Sequence, residues 1–279
     1  MTERPAGRAP LAVTLSNPRA ERIKKVAALA GRSARSRAGE FLVEGPQGVR
    51  ELVRFAPQRV RDLYVTLEAA DRYPELIASS LDEQFYVHVA TDETFAAMST
   101  DAQGILAVVR SERPALHDVM SASSPSGHRM IVVLADVRDP GNAGAVIRVA
   151  DAAGAAAVVL AGESVDVDNP KVVRSTAGSL FHLPVATDLT VRDAVDAARS
   201  AGLTVLAADG GGEVDLFGAS GVDLAQPIAW LFGNEARGLT DEQRAMADAV
   251  VRIPIVGKAE SLNLATAAAV CLYARLSTA

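Results

Sequence analysis

The chain has 279 residues, 49% hydrophobic and 22% charged, enough for two domains with sizeable cores. No apolar run approaches the roughly 18 uncharged residues of a membrane span, and residues 1–22 lack a signal peptide's continuous hydrophobic stretch, so a cytoplasmic protein without a membrane partner is expected. The net charge of −6 argues against an indiscriminate nucleic-acid binder, and the single cysteine, Cys271 in LATAAAVCLYARL, excludes an internal disulfide and points to core packing with no metal site.

Residues 1–16 read as a disordered lead, and helix signals begin at Asn17-Pro18, a capping residue before a proline suited to the first helical position. Between Arg19 and Arg37 lie Arg19, Arg22, Lys24, Lys25, Arg32, Arg35 and Arg37, against the lone acid Glu21. On an acidic chain such a local basic stretch can give a directed phosphate contact; a solvated helix face is the alternative. RVRDLYVT, QFYVHVA and GILAVVR read as strands, with helical stretches near 71–80 and 92–98 between them, so residues 17–110 are expected to form a small α/β domain. The proline, serine and glycine content of SERPALHDVMSASSPSGH marks a linker over 111–129.

Residues 130–279 open with RMIVVLADV, a continuous apolar run of the kind buried on both faces of a sheet. AAAVVLAG, LTVLAAD, PIAWLFGN and VVRIPIV follow as further strand candidates with helical segments between most of them, which predicts a mostly parallel sheet covered by helices on both sides. Ligands in such sheets sit beyond the carboxyl ends of the strands, so the turns there carry the chemistry.

Three of these turns stand out. In DPGNAGAVIRVADAAGA, glycines turn the chain tightly into a nearly all-apolar helix; Asn142 can cap that helix or face a ligand, and Arg148, taken alone, reads as a surface arginine pairing with Asp151. In IAWLFGNEARGLTDEQ, an apolar strand runs into Gly233, Asn234 and Glu235, and a carboxylate directly after a buried strand has little use in packing, a solvated turn being the alternative. In VRIPIVGKAESLNLATAAAVCLYARL, Ser261 is placed to cap a helix that is apolar on every face from Leu262 to Tyr273, with only Asn263 and Thr266 as polar interruptions. Such a helix needs cover on both sides, most economically from a second subunit, and a buried Asn263 amide would need partners.

Together, in order and spacing, NAGAVIR, GNEARG and IPIVGKAESLN closely resemble the three motifs of the SpoU family of RNA ribose 2′-O-methyltransferases, and NPKVVRSTAGSLFHLPV resembles the stretch between the first two. The resemblance covers most of residues 130–279 and implies an α/β sheet closed by a deep trefoil knot, a homodimer, and S-adenosylmethionine as methyl donor. AGEFLVEGPQGVRELV resembles, more loosely, the opening of the ribosomal-protein-like RNA-binding domain that accompanies many members. By the same resemblance Gly233, Ile253 and Leu262 contact the cofactor, and Asn142, Arg148, Glu235, Ser261 and Asn263 serve catalysis.

Arg148 is implied as the base, yet a guanidinium stays protonated; stabilising a developing alkoxide and gripping the adjacent phosphate ask less of it. Glu235 would orient Arg148 or its neighbours. RNA is expected on Arg32, Arg35 and Arg37, with Lys171 and Arg174, three apart, as additional contacts. Ribosomal RNA is the expected substrate, with tRNA, or a catalytically silent RNA-binding protein of the same fold, as alternatives. A nicotinamide-dinucleotide domain is disfavoured because GNAGAVIR lacks G-x-G-x-x-G spacing, and Gly257-Lys258 lacks the remainder of a Walker loop.

Overall fold

Gly39 and Gly45, at φ 63° and 85°, bracket the first strand of the chain, turning it sharply at both ends where a side chain would be strained. The computed structural model describes residues 11–124, 129–218 and 222–275, and the chain divides into two units, 1–111 and 112–279. The first unit runs α1 (Glu21–Ala28), α2 (Arg32–Ala38), β1 (Glu40–Glu44), α3 (Pro46–Phe55), β2 (Val60–Val65), α4 (Leu67–Arg72), α5 (Pro74–Asp82), β3 (Val87–Val89), α6 (Asp92–Ala96) and β4 (Ile105–Arg110). Its sheet has the order β1-β4-β2-β3, with β4 antiparallel to both neighbours and β3 parallel to β2. Alternation sorts the strands: Leu42, Tyr64, Leu106 and Val108 pack with Ile23 and Val26 of α1 and with Leu29 just after it, while α3 lies against β1 and β4.

Two expectations for the start of the chain are corrected here. Residues 11–16 do not form a disordered lead: the Thr14 and Leu15 N–H groups donate to the Val89 carbonyl (2.8 and 3.0 Å), and Thr91 N–H donates to the Leu15 carbonyl (2.9 Å). Residues 1–10, the rest of that expected lead, lie outside the described residues. Asn17 starts no helix, because its Oδ1 accepts from Arg19 N–H at 2.9 Å and closes a local turn; α1 begins at Glu21.

The second unit runs α7 (Leu116–Ser121), β5 (Met130–Ala135), α8 (Pro140–Ala152), β6 (Ala157–Ala161), α9 (Pro170–Ser175), β7 (Val185–Ala186), α10 (Val191–Ser200), β8 (Thr204–Ala208), β9 (Val214–Asp215), β10 (Ile228–Phe232), α11 (Asp241–Ala245), β11 (Ala249–Arg252) and α12 (Leu264–Ala274). Its seven-stranded sheet has the order β7-β6-β5-β10-β8-β11-β9, parallel at every pairing, as the continuous apolar runs require. Ile131, Val133, Val159, Val205 and Leu231 face α7 and α10. The alternate residues point the other way, where α8 lies against β6 and α12. The chain leaves β5 toward β6 and β7, then returns to β8 and inserts β10 between β8 and β5. That reversal opens a crevice at the strands' carboxyl ends.

The stretch 111–129 is not simply a linker. Leu116, Val119 and Met120 share one face of α7, with Val119 and Met120 buried in the core of the second unit, and the Arg113 guanidinium donates to the buried Asp168 carboxylate at 2.7 Å.

Cys271, on the inward face of α12, is wholly buried, and burial pushes its thiol up to about 12. A thiol reagent at pH 8 is therefore expected to modify the native protein at least about a hundredfold more slowly than the urea-unfolded chain, because only the thiolate reacts. Equal rates in the two states would show that this face of α12 is not packed against the rest of the unit.

Candidate active site

The carboxyl ends of β5 and β10 are tied together by one set of hydrogen bonds. Asp136, the first residue after β5, adopts φ 58°; its Oδ1 accepts from Glu163 N–H (2.8 Å) and its Oδ2 from the Gln243 side-chain amide (2.9 Å). Its carbonyl accepts from Asn234 Nδ2 at 2.7 Å. Glu235 completes the tie, its carboxylate accepting from the backbone N–H groups of Asp139 (3.0 Å) and Arg138 (3.3 Å). Asp139 in turn caps α8 through Asn142 N–H at 2.7 Å, with Pro140 at the first helical position. The turn after β10 thus sets where α8 begins.

That turn is itself closed. Asn234 and Gly238 exchange backbone hydrogen bonds at 3.1 and 2.8 Å, and Asn234 Oδ1 accepts from Ala236 and Arg237 N–H. A Cβ on Gly233 would lie 2.4 Å from the Gly238 carbonyl carbon and 2.5 Å from Leu239 N. The glycine is required by the fold of its own turn, before any ligand is considered.

Beside it, at the ends of β8, β10 and β11, lies a cavity of about 280 Å³ lined by Gly233, Ile253 and Leu262 together with Glu235 and Ser261. This is near the lower end of the ~300–1,000 Å³ usual for small-molecule sites. Phe232, Val251, Ile255 and Leu264 supply apolar wall, and Asp209, Glu235 and Glu260 are its ionisable lining groups, with no Lys, Arg or His among the described residues that line it. Such a lining suits a cationic, partly apolar ligand and disfavours a phosphate. S-adenosylmethionine carries a sulfonium, an ammonium, one carboxylate and an adenine ring and is net positive, so an acidic, apolar-walled lining fits it. On the far side of Glu235, Arg138 and Arg237 border a second, more open cavity of about 490 Å³.

The remaining expected residues fall in several places. Asn142 and Asn263 meet, the Asn263 side-chain amide donating to Asn142 Oδ1 at 2.9 Å. Asn263, not Ser261, caps the last helix, accepting from Ala265 and Thr266 N–H; α12 starts two residues later than Leu262, because Asn263 itself still has a non-helical backbone, at φ −55° and ψ 145°. Asn263 is exposed in the single chain rather than buried. Glu235 makes no bond to Arg148, since its oxygens are spent on the backbone before α8.

Arg148 itself is exposed on α8 and forms no ion pair among the described residues; the expected partner, Asp151, is held instead by His182 Nδ1 at 2.7 Å. Lys171 is exposed and Arg174 half-buried on α9. In the first unit Arg32 and Arg37 are exposed, but Arg35 is 4% exposed and donates to the carbonyls of Leu29 and Ala30 at the end of α1. It is a helix-end cap and not an RNA contact. Asp136 and Gln243 escaped the sequence reading, although an aspartate directly after a buried strand carries the same signal that singled out Glu235.

Residues 129–273 match the family model described as the SpoU rRNA Methylase family. The chain is 35% identical over 254 residues to the 23S rRNA (uridine(2479)-2′-O)-methyltransferase of Streptomyces viridochromogenes, covering 88% of this chain and 86% of that protein. It is 30% identical over 257 residues to the 23S rRNA (guanosine(2553)-2′-O)-methyltransferase RlmP of Bacillus subtilis, covering 91% of this chain and 95% of that one. Among solved structures, the SpoU methyltransferase AviRb from Streptomyces viridochromogenes in complex with the cofactor AdoMet superposes with a TM-score of 0.77 at 32% identity, covering 93% of this chain and 98% of that one.

The tie around Asp136 gives a testable ordering. Asp136→Ala removes the two side-chain acceptor contacts and places a Cβ residue with poor left-handed preference at φ 58°, so urea unfolding is expected to show a loss of about 2–4 kcal/mol. Asp136→Gly loses the same bonds without the strain and is expected to be about 1 kcal/mol more stable than the alanine variant, the reverse of the usual order. An alanine variant at least as stable as the glycine variant would contradict this.

Proposed function

The chain belongs to the SpoU rRNA methylase family, and from that membership we propose that it transfers the methyl group of S-adenosylmethionine to a ribose 2′-hydroxyl of ribosomal RNA. The observation that carries this reading is the acidic, apolar-walled cavity at the strand ends, lined by Gly233, Ile253 and Leu262 next to the Glu235 tie. Bound there, S-adenosylmethionine supplies an electrophilic methyl carbon for the 2′-oxygen, whose proton must leave. Backbone groups at Gly233, Ile253 and Leu262 hold the adenosyl part, and the carboxylates of the lining favour the positive end.

Glu235 acts by fixing the loop that starts α8, and Ser261 and the Asn142–Asn263 pair hold the ribose and its backbone. Arg148, charged and uncommitted to any carboxylate, grips the phosphate beside the reacting ribose and stabilises the developing alkoxide. RNA also meets Arg32 and Arg37, and Lys171 with Arg174. RNA rather than DNA follows from the chemistry, since only ribose carries the hydroxyl.

The protein works as a homodimer. Tyr273 is exposed and Ala269 and Val270 are half-buried on the outward side of the last helix, and Ile255, Val256 and Leu262 are exposed on the segment before it. An apolar surface of this extent calls for protein cover. The trefoil knot belongs to the same reading, with 253–263 as the threaded segment. No helix of the described residues is long and apolar enough to cross a membrane, and a cytoplasmic site of action, where ribosomal RNA is found, goes with this reading.

Three measurements test this. Isothermal titration is expected to show S-adenosylmethionine binding, and methyl label is expected on ribose 2′-oxygens of deproteinised ribosomal RNA; absence of both overturns the reading. Arg148→Ala should keep the fold and cofactor affinity while transfer falls by at least about two orders of magnitude. Arg148→Lys keeps the charge without the planar fork, so rescue would show a charge role and a deep loss a geometric one, whereas near-normal turnover of the alanine variant would make Arg148 a surface residue. Light scattering should report a dimer at micromolar concentration and a monomer for Val270→Asp; a wild-type monomer would remove the dimer from the proposal.

A further inference from the structure

The first unit carries a groove that the motif regions do not account for. It is a cavity of about 620 Å³ between α1, α2 and the sheet, bordered by the cations Arg22, Lys25, Arg37 and Arg61 and by the carboxylates Glu21, Glu40 and Asp62. Arg61 is neutralised by Glu40 and Asp62, both of which pair with it. The other three cations have no carboxylate within ion-pair distance among the described residues: Arg22 donates to the His88 ring, Arg37 to the Ser33 hydroxyl at 2.7 Å, and the Lys25 ammonium makes no hydrogen bond.

The wall of the groove carries a hydroxyl that binds nothing else among the described residues. Tyr64 is 1% exposed, stacks on His88 with ring centroids 5.0 Å apart, and lines the cavity, yet its hydroxyl makes no hydrogen bond to any described residue. The ring is buried while the hydroxyl opens on the cavity, where it is free to donate to a ligand that supplies an acceptor. Burial and the neighbouring Asp62 push its pKa up to about 12, so it stays protonated and able to donate. Uncompensated cations at the mouth and an unsatisfied donor on the wall suit a ligand with a phosphate on one side and a neutral polar acceptor on the other.

We propose that this groove seats one nucleotide of the substrate RNA, its phosphate on Lys25, Arg22 and Arg37 and a polar edge of its ribose or base on the Tyr64 hydroxyl. The proposal rests on the methyltransferase reading above, which supplies RNA as the partner. The volume exceeds what one nucleotide needs, and the apolar side of Val26, Leu29 and Val108 gives its base a surface to lie on. Because Arg61 is committed to Glu40 and Asp62, it shapes the groove without gripping the phosphate. The basic stretch of the sequence thereby divides: Arg35 caps a helix, Arg32 and Lys24 lie outside the groove, and Arg22, Lys25 and Arg37 point their charge at one place.

Filter binding of the full-length protein to deproteinised ribosomal RNA, across a salt series, tests this. Lys25→Ala with Arg37→Ala is expected to weaken binding about tenfold at 0.15 M salt and to make the slope of log affinity against log salt shallower by about 1.4, at ~0.7 per lost contact on a single strand. Tyr64→Phe keeps the ring and its packing, and should weaken binding about three- to tenfold with the slope unchanged, since it removes a neutral hydrogen bond. Lys24→Ala, one residue away but outside the groove, should change affinity less than twofold, and S-adenosylmethionine affinity should be unaltered in all variants. If Tyr64→Phe and the double variant bind like wild type, or Lys24→Ala weakens binding as much as they do, the groove is not the seat, while methyl transfer by the wild type would leave the functional reading standing. A wild-type protein that neither binds nor methylates ribosomal RNA overturns both.

Discussion

Everything at the proposed catalytic edge hangs on the hydrogen bonds between two strand ends. Asp136 and the Asn234–Glu235 pair lie next to one another only because β10, late in the chain, inserts beside β5. Once there, three kinds of acceptor are used in concert. The Asp136 carbonyl holds Asn234, the Asp136 carboxylate holds Gln243 and the β6 end, and the Glu235 carboxylate holds the N–H groups that lead into α8. Charge-assisted bonds to backbone N–H are stronger than neutral ones, and here they fix a main-chain segment rather than a flexible side chain. The start of α8, and with it Asn142, is placed by residues about a hundred positions away.

That arrangement separates the charges of the molecule by task. The cavity offered to the sulfonium donor is lined by carboxylates, whereas Arg138 and Arg237 stand on the other side of Glu235 and Arg148 faces solvent from α8. A polyanionic substrate and a cationic donor need potentials of opposite sign, and this arrangement keeps the two regions apart. The overall charge of −6 is no obstacle to RNA binding when the cations are gathered where the phosphates must lie. In the first unit the same economy appears: Glu40 and Asp62 occupy Arg61, and the remaining cations of the groove keep their charge for a partner.

The apolar surface along 255–273 completes the logic. A chain that ends in a helix with little polar surface leaves Leu262, Val270 and Tyr273 partly in water, and the cavity wall made by Ile255 and Leu262 is shared with that surface. In the proposed dimer, cover by a second copy would stabilise the helix and the shared cavity wall together.

Much of this was legible in the residues. Continuous apolar runs marked the buried parallel strands, since a strand covered on both faces cannot alternate; the turns after them carried the polar groups; and Gly233, Ile253 and Leu262, distant in sequence, were grouped by motif before the cavity placed them together. Local chemistry misled where a side chain had two uses. Asn17 closed a turn on Arg19 instead of starting a helix, Ser261 yielded the cap to Asn263, and Arg35, one basic residue among many, turned inward to two carbonyls. Composition hid α7 among proline and serine, although its apolar face is buried in the second core. The sequence by itself determined most of the strands, though not β1, β7 or β9, and the family that the motifs resemble, because periodicity and motif spacing are local properties of the chain. Only the tertiary structure decided what those turns touch: that Glu235 binds backbone and not Arg148, that Asp136 joins four segments, and that Tyr64 faces a groove without a partner, because each depends on the order in which distant strands are laid side by side.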